Sequence, residues 1–302
     1  MDKPYTLAIV GAGISALSAL RAGLSSERTI LLDYQEKPGG FLRPALPARG
    51  FEDYATLIQT SRLPGQLTAC FNATAVGLAP AIEDGEPHTL LVRHRSGVER
   101  IRAYRLLLAC GGLELTREQA QIPGSRPAGI MTPALAHQLL NRGYAPGQRI
   151  VVYGSSRYTL ATARRLARAG LFVTLVHSPG LPDASILIDP SPSLNILPPA
   201  QLVSLAGFPR LERLTFSRTP GESFSLLADT LVYGTEMRAN TGWLKSSGLA
   251  LSEQGAIKVD QHYLTSVPGI YAIGTLVSPS LDHTDSLRMG REFAALFSEG
   301  SL

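Results

Sequence analysis

The 302-residue sequence predicts an α/β protein of two three-layer units. Two observations lead to this prediction. An apolar strand, a turn of small residues and a helix follow one another at the N-terminus, and the same order recurs from Arg149. Strands that alternate with helices in this way form parallel sheets covered by helices.

The first unit opens with a turn that suits a diphosphate. The apolar run Tyr5–Val10 predicts a buried strand, and residues 11–16 follow it with the spacing G-x-G-x-x-A. Gly11 permits a tight turn, Gly13 lets a diphosphate approach the backbone, and Ala16 lets the helix pack closely on the strand. The N-terminus of the helix then presents its N–H groups and positive dipole end to the diphosphate. We call residues 11–16 the first glycine turn.

A carboxylate follows the second predicted strand. The strand Thr29–Leu32 leads into Asp33, 22 residues after Gly11. A carboxylate in this place accepts hydrogen bonds from the ribose hydroxyls of an adenosine and repels a 2′-phosphate. Together the turn, helix and carboxylate predict a Rossmann-like dinucleotide-binding domain. A glycine turn that binds no ligand is the alternative.

Three later segments favour FAD over NAD in the first unit. They are the glycine pair in Lys37–Phe41, the strand Leu106–Leu108 with small residues after it, and the turn, strand and glycine of Leu264–Thr275. In this order they resemble the flavoproteins of the pyridine nucleotide–disulfide oxidoreductase superfamily, which have two dinucleotide-binding domains. Residues 122–132 and 143–148 are similar to one branch. That branch holds the FAD-dependent oxidoreductases found with glycerol-3-phosphate dehydrogenases, and the flavoprotein subunits of opine oxidase, hydrogen cyanide synthase and hydroxyproline dehydrogenase.

The resemblance implies FAD as the cofactor and an α/β fold of two Rossmann-like three-layer dinucleotide-binding domains, the second inserted in the first. It implies that the FAD domain comprises residues 1–116 and 242–302, and that the insertion comprises residues 117–241. It places the diphosphate at the first glycine turn, the adenosine ribose at Asp33, and the isoalloxazine near the start of the last helix. Thr275 stands where many relatives carry Asp, so the ribityl contact there would lack a charge. The implied FAD-binding residues are Gly11, Gly13, Ser15, Ala16, Asp33, Tyr34, Gly40, Phe41, Val76, Ala109, Gly111, Gly274, Thr275, His283 and Thr284.

The insertion carries an altered version of the same turn at residues 154–159, which we call the second glycine turn. Ser156 and Thr159 stand where small residues are expected, and each adds bulk where a diphosphate or a packed backbone needs space. His177 replaces the expected acid. One interpretation is that Gly154, Ser156, Arg157 and His177 hold NAD(P), with Arg157 and His177 favouring a 2′-phosphate. The other, which we favour, is that this degenerate site binds NAD(P) poorly or not at all.

Thiol and metal chemistry are not expected of this chain. Cys70 and Cys110 are its two cysteines, forty positions apart, and neither belongs to a Cys-x-x-Cys pair. A redox-active disulfide, a zinc site and an iron–sulfur cluster are therefore not predicted. We interpret Cys110 as a small core residue.

The catalytic residues are unknown from the sequence, and His283 is the candidate. Asp282 and Asp285 flank it, so its pKa could be tuned for proton relay near neutral pH. The alternative is that Asp282 or Thr284 caps a last helix that starts near Ser286. In either case the flavin would carry the chemistry.

Composition limits the partners. A formal charge of +4 from 28 basic and 24 acidic residues, with no long basic run, gives no reason to expect a nucleic-acid partner. No apolar run reaches the roughly 18 residues that a membrane span needs, and no signal peptide is recognised, so we expect a cytoplasmic protein.

Three functions are consistent with the sequence. The first is an FAD-binding electron-transfer subunit of a heteromeric dehydrogenase or oxidase, partnered by another flavoprotein or an iron–sulfur protein. The second is a self-sufficient NAD(P)H-dependent flavin reductase of a small electron acceptor. The third is a non-catalytic subunit whose fold is braced by FAD. The branch resemblance and the altered second turn favour the first.

Overall fold

A computed structural model describes residues 3–24, 26–61, 63–179, 191–219, 221–234 and 236–298. The chain divides into two compact units. Unit 1 comprises Met1–Phe41, Asp53–Leu113 and Met237–Leu302, and unit 2 comprises Leu42–Glu52 and Glu114–Glu236. Residues 42–52, which we expected in the first unit, therefore cluster with the second. The long segment of unit 2 begins at Glu114 and ends at Glu236, whereas we expected residues 117–241.

Both units contain strands that alternate with helices as well as runs of consecutive strands. The strands are β1 Tyr5–Val10, β2 Thr29–Leu32, β3 Leu67–Cys70, β4 Thr74–Ala79, β5 His88–His94, β6 Gly97–Leu108, β7 Gly112–Glu114, β8 Ile130–Met131, β9 Arg149–Tyr153, β10 Phe172–Val176, β11 Leu194–Leu197, β12 Gln201–Ala206, β13 Arg213–Thr219, β14 Glu222–Leu227, β15 Thr230–Tyr233, β16 Met237–Ala239 and β17 Ile270–Ala272. The helices are α1 Ile14–Arg21, α2 Glu52–Thr60, α3 Pro133–Asn141, α4 Arg157–Arg168 and α5 His283–Ser298.

Unit 1 is built on a seven-stranded sheet in the order β3-β2-β1-β6-β5-β4, with β17 also paired to β6. The strands β1, β2, β17 and the last part of β6 run parallel, so their carboxyl ends meet at one edge. The chain leaves β1 toward β2 on one side, while β6 lies on the other. Open α/β sheets bind ligands outside the carboxyl ends of strands at such a switch point.

The parallel strands of unit 1 are buried because both faces of the sheet are covered. Leu7 and Ile9 of β1 are completely buried, and a second apolar cluster covers the opposite face. Helices α1 and α5 pack against each other, and the Ser18 hydroxyl donates to the Leu287 carbonyl oxygen at 2.7 Å. This packing places the N-terminus of α1 at the carboxyl edge of the sheet.

Unit 2 repeats the parallel arrangement. Its five-stranded sheet has the order β11-β10-β9-β15-β8, and every recorded pairing in it is parallel. Strand β9 begins at Arg149, where the sequence predicts that the order of strand, turn and helix recurs. A separate antiparallel sheet, β12-β13-β14, packs its apolar side chains into a shared core with the parallel strands. The α/β fold with two Rossmann-like units is thus confirmed.

Membrane-spanning helices and metal sites can be assessed for the described residues. In that part of the chain no helix has both the length and the apolar character needed to cross a bilayer. Within the same residues, no group of three or more His, Cys, Asp or Glu side chains is placed to hold a metal ion.

Candidate functional site

The first glycine turn lies at the carboxyl end of β1 and is packed from two sides. Gly11 has φ +103°, and a Cβ there would collide with the Ala109 carbonyl oxygen. A Cβ on Gly40 would lie 2.9 Å from the Cα of Gly13, and the Gly39 amide donates to the Ala12 carbonyl oxygen at 2.8 Å. The glycine pair of residues 39–40 therefore packs directly on the turn.

The turn is open where a diphosphate would lie. Gly13 is the N-cap of α1, with φ −80°, and no atom lies within 4 Å of the position its Cβ would take. As glycine it supplies no side-chain acceptor to the first N–H groups of the helix. The space and the N–H groups together fit the diphosphate of a dinucleotide.

Asp33 is fixed beside this turn. Its side chain is 6% exposed, and its two oxygens accept from the amides of Ala12 at 2.6 Å and Gln35 at 2.7 Å. Burial raises the pKa of Asp33 above its ordinary value, while the two amide hydrogen bonds oppose that rise. Each carboxylate oxygen has a second lone pair, so the group can still accept from ribose hydroxyls.

Two of the implied FAD-binding residues are exposed. Tyr34 is 63% exposed and Val76 of β4 is 37% exposed, whereas Phe41 is half-buried. The Ala73 amide donates to the Asp33 carbonyl oxygen at 2.9 Å, which ties the start of β4 to the end of β2. The structure thus brings Asp33, Tyr34 and the start of β4 to one end of the sheet.

The C-terminal glycine of the predicted site meets the first helix. Gly274 has φ +74°, and a Cβ there would lie 2.5 Å from the Ser15 hydroxyl of α1. Gly111, with φ +70°, would place a Cβ 3.4 Å from the Thr275 hydroxyl. Residues that are more than 100 positions apart in sequence therefore converge at the start of α1.

The last helix begins earlier than the sequence indicates. It starts at His283, and Asp282 caps it: Oδ1 of Asp282 accepts from the Asp285 amide at 2.9 Å. The expected start near Ser286 is therefore wrong, whereas capping by Asp282 is confirmed. His283 is 9% exposed and Thr284 is exposed. A proton relay through His283 stays a prediction.

The second glycine turn, at the start of α4, is occupied by its own side chains. Ser156 is the N-cap of α4, and its hydroxyl accepts from the Thr159 amide at 3.1 Å and lies 2.8 Å from the Thr159 hydroxyl. The Thr159 hydroxyl fills the place that a Cβ on Gly234 would take. A helix N–H group and space that a diphosphate would need are thus used within the protein.

The other residues predicted to hold NAD(P) differ in their exposure to solvent. Gly154 is buried, with φ +136°, and Arg157 is exposed at the first position of α4. His177 is 4% exposed, so its ring does not face solvent, where a 2′-phosphate would approach. The Ser155 hydroxyl accepts from the Ser178 amide at 3.0 Å, and this hydrogen bond links the segments that follow β9 and β10.

Neither thiol is suited to nucleophilic chemistry. Burial raises the pKa of Cys110 to about 12, and its sulfur lies 3.8 Å from the Asn240 carbonyl oxygen. Burial also raises the pKa of Cys70. At neutral pH both are protonated, and the thiolate is the reactive form.

Sequence reasoning missed two contributions to this site. The Tyr54 hydroxyl of α2 lies 3.8 Å from the Cβ position of Gly40, and Gly290 of α5 lets that helix approach the backbone of Ser15. Glycine within an amphipathic helix is a signal of close packing that could have identified Gly290. No local signal marks Tyr54.

Comparisons with known proteins bear on the family. Residues 204–288 match the family model described as pyridine nucleotide-disulphide oxidoreductase. Ferredoxin–NADP reductase 1 of Bacillus velezensis is 25% identical over 288 residues, which cover 89% of this chain and 83% of that protein. Ferredoxin–NADP reductase of Rhodospirillum rubrum is 25% identical over 289 residues, with the same coverage. Thioredoxin reductase of T. acidophilum superposes with a TM-score of 0.72 at 18% identity, over 100% of both chains.

The comparisons agree with the geometry of unit 1. They support the FAD-dependent pyridine nucleotide–disulfide oxidoreductase family, an oxidoreductase function and FAD as the cofactor. The open space at Gly13 and the carboxylate of Asp33 fit that cofactor. The branch within the family stays a prediction.

Proposed function

We propose that this chain is the FAD-binding electron-transfer subunit of a heteromeric dehydrogenase or oxidase. It exchanges electrons with a second flavoprotein or an iron–sulfur protein. The observation that carries this proposal is the second glycine turn, where Ser156 and Thr159 use the helix N–H group and the space needed by NAD(P). The similarity of residues 122–132 and 143–148 to the heteromeric branch is the supporting sequence observation.

FAD, when bound, supplies the group that accepts and returns electrons. The residues of unit 1 hold and orient it. The first glycine turn and the N-terminus of α1 take the diphosphate, and Asp33 accepts from the ribose. Gly111 and Gly274 keep side chains out of the space next to Thr275. The two thiols, whose pKa values are raised, take no part.

A second candidate is a self-sufficient NAD(P)H-dependent flavin reductase. It is favoured by the match to ferredoxin–NADP reductases across 89% of the chain, a span that includes unit 2. In this function the exposed Arg157 at the start of α4 would meet the nucleotide phosphate. The Ser156 cap would then have to open.

An anaerobic absorption spectrum before and after addition of NADH, and then NADPH, separates the two candidates. For the electron-transfer subunit we expect a flavin spectrum that neither nucleotide bleaches within minutes and that dithionite bleaches fully. A second chain should then co-purify with the tagged protein from its native cells. Rapid bleaching by either nucleotide would refute the first candidate and support the second.

A further inference from the structure

Tyr54 of α2 lies against the glycine pair that packs on the first glycine turn. Its side chain is 1% exposed and belongs to the same unit as the turn. The Cβ position of Gly40 lies 2.9 Å from the Gly13 Cα, 3.9 Å from the Gly13 amide nitrogen and 3.8 Å from the Tyr54 hydroxyl oxygen. The hydroxyl, the backbone of Gly40 and the N-cap of α1 therefore meet at one point.

The backbone of Gly40 is tightly confined at this point. Its φ is +58°, and it approaches Gly13 so closely that a side chain has no space between them. The neighbouring Gly39 amide donates to the Ala12 carbonyl oxygen, which fixes the pair to the turn through main-chain atoms. Close-packed interiors transmit small displacements. A change at the Tyr54 hydroxyl should therefore reach Gly13 through Gly40.

Helix α2 is anchored along its length, so Tyr54 has a firm base. Leu57, one turn after Tyr54, is 4% exposed. The hydroxyl of Thr60, the last residue of α2, accepts from Arg21, the last residue of α1. The two helices are thus joined at their C-terminal ends, while Tyr54 lies close to the N-terminus of α1.

The burial of Tyr54 distinguishes its role from that of a residue that contacts the cofactor. Solvent reaches Gly13, which is half-buried, but hardly reaches Tyr54. The open space at Gly13 is where a diphosphate would lie. Tyr54 would therefore act on a diphosphate through Gly40 and Gly13 and not by direct contact.

We propose that Tyr54 is a positioning residue for FAD. Its hydroxyl holds Gly40 against the first glycine turn and keeps the first N–H groups of α1 aimed at the diphosphate. Hydrogen bonds from N–H groups weaken steeply as their angles depart from linearity, so a small shift of the turn weakens several of them together. The proposal rests on FAD binding at the first glycine turn.

The affinity of the holoprotein for FAD tests this role, measured by ultrafiltration of serially diluted samples. Tyr54→Phe removes the hydroxyl and keeps the buried ring, so the variant should fold. We expect its dissociation constant for FAD to rise about threefold to tenfold, the range given by the net loss of one hydrogen bond. Tyr271→Phe is the matched control, since it removes the hydroxyl of a 5% exposed tyrosine on β17 of the same unit. Its dissociation constant should equal that of the wild type.

The ³¹P NMR spectrum of the bound FAD separates a positioning role from a merely structural one. A lost hydroxyl that only loosens the core can lower stability in both variants, but it leaves the surroundings of the diphosphate unchanged. We expect Tyr54→Phe to shift the diphosphate resonances and Tyr271→Phe to leave them at the wild-type positions.

Three results would overturn the role of Tyr54. They are an unchanged dissociation constant in Tyr54→Phe, an unchanged ³¹P spectrum in that variant, and equal weakening of FAD binding by Tyr54→Phe and Tyr271→Phe. A wild type that binds no FAD would overturn the cofactor site itself, and with it this role. That failure is distinguishable because it appears before any substitution is made.

Discussion

At the scale of single residues, Cys110 illustrates how burial removes a reactive group. It follows β6, packs against the core of unit 1 and has a pKa of about 12. At pH 8 only a minute fraction of this thiol is ionised, and alkylating reagents attack the ionised form. The chemistry of the protein is therefore expected to be independent of this thiol.

The rate of alkylation measures the reactivity of the Cys110 thiol directly. In a Cys70→Ser variant, where Cys110 is the remaining thiol, we expect iodoacetamide at pH 8 to leave the folded protein unlabelled over an hour. The same variant in guanidinium chloride should be labelled fully, which shows that the reagent is active. Rapid labelling of the folded variant would contradict the placement of Cys110.

The residues of the first glycine turn are predictable because their role is local. Gly11, Gly13 and Asp33 follow from the order of strand, turn, helix and strand, and the structure places them together. The contact between Thr159 and Gly234 is not predictable, since 75 positions separate the two residues. The sequence shows that Thr159 is bulkier than the small residue expected there. It does not show that the Thr159 hydroxyl occupies the place next to Gly234.

At the scale of elements, the crossing of α1 and α5 depends on one glycine. A Cβ on Gly290 would collide with the Ser15 carbonyl oxygen and lie 2.8 Å from the Ser18 Cβ. Overpacking of this kind forces helices apart and typically costs about 1–3 kcal/mol.

Urea denaturation tests the helix crossing. We expect Gly290→Ala to lower the free energy of unfolding by about 1–3 kcal/mol and to weaken FAD binding, because α1 carries the diphosphate site. Arg291→Ala, at the neighbouring exposed position, should change stability by at most about 0.5 kcal/mol. Equal stability of the two variants would show that the helices do not approach as closely as described.

A second element contact makes unit 2 sensitive to acid. His137 of α3 is fully buried and bonded to Thr162 and Arg165 of α4, at 3.0 Å and 2.7 Å. Its pKa is about 3 in the folded protein and about 6.5 when unfolded. The unfolded state therefore binds a proton first, so stability present above pH 6.5 is lost as the pH falls toward 3.

The pH dependence of unfolding checks this linkage. We expect the free energy of unfolding of the wild type to fall more steeply between pH 6.5 and pH 4 than that of His137→Leu, which has no group to titrate. His262→Gln, which removes a partly exposed histidine in unit 1, should keep the wild-type slope. An unchanged slope in His137→Leu would exclude this histidine as the cause.

At the scale of the whole molecule, the sequence predicts the parallel strands and misses the parts that depend on long-range packing. Strands β1 and β2 have the expected bounds because they are short apolar runs, followed by the first glycine turn and by Asp33. The placement of residues 42–52 in unit 2 has no local signal, since it rests on contacts with α3 and α4.

FAD content of the purified protein tests the central claim, that the first glycine turn holds the cofactor. Gly13 has a φ that any residue adopts and open space around its Cβ position, so a side chain there extends into the space that the diphosphate would take. Gly65→Val, where the Cβ position is also open, is the matched control. We predict one FAD per chain in the wild type and in Gly65→Val, and none in a folded Gly13→Val. No flavin in the wild type, or a full complement in Gly13→Val, would contradict the account.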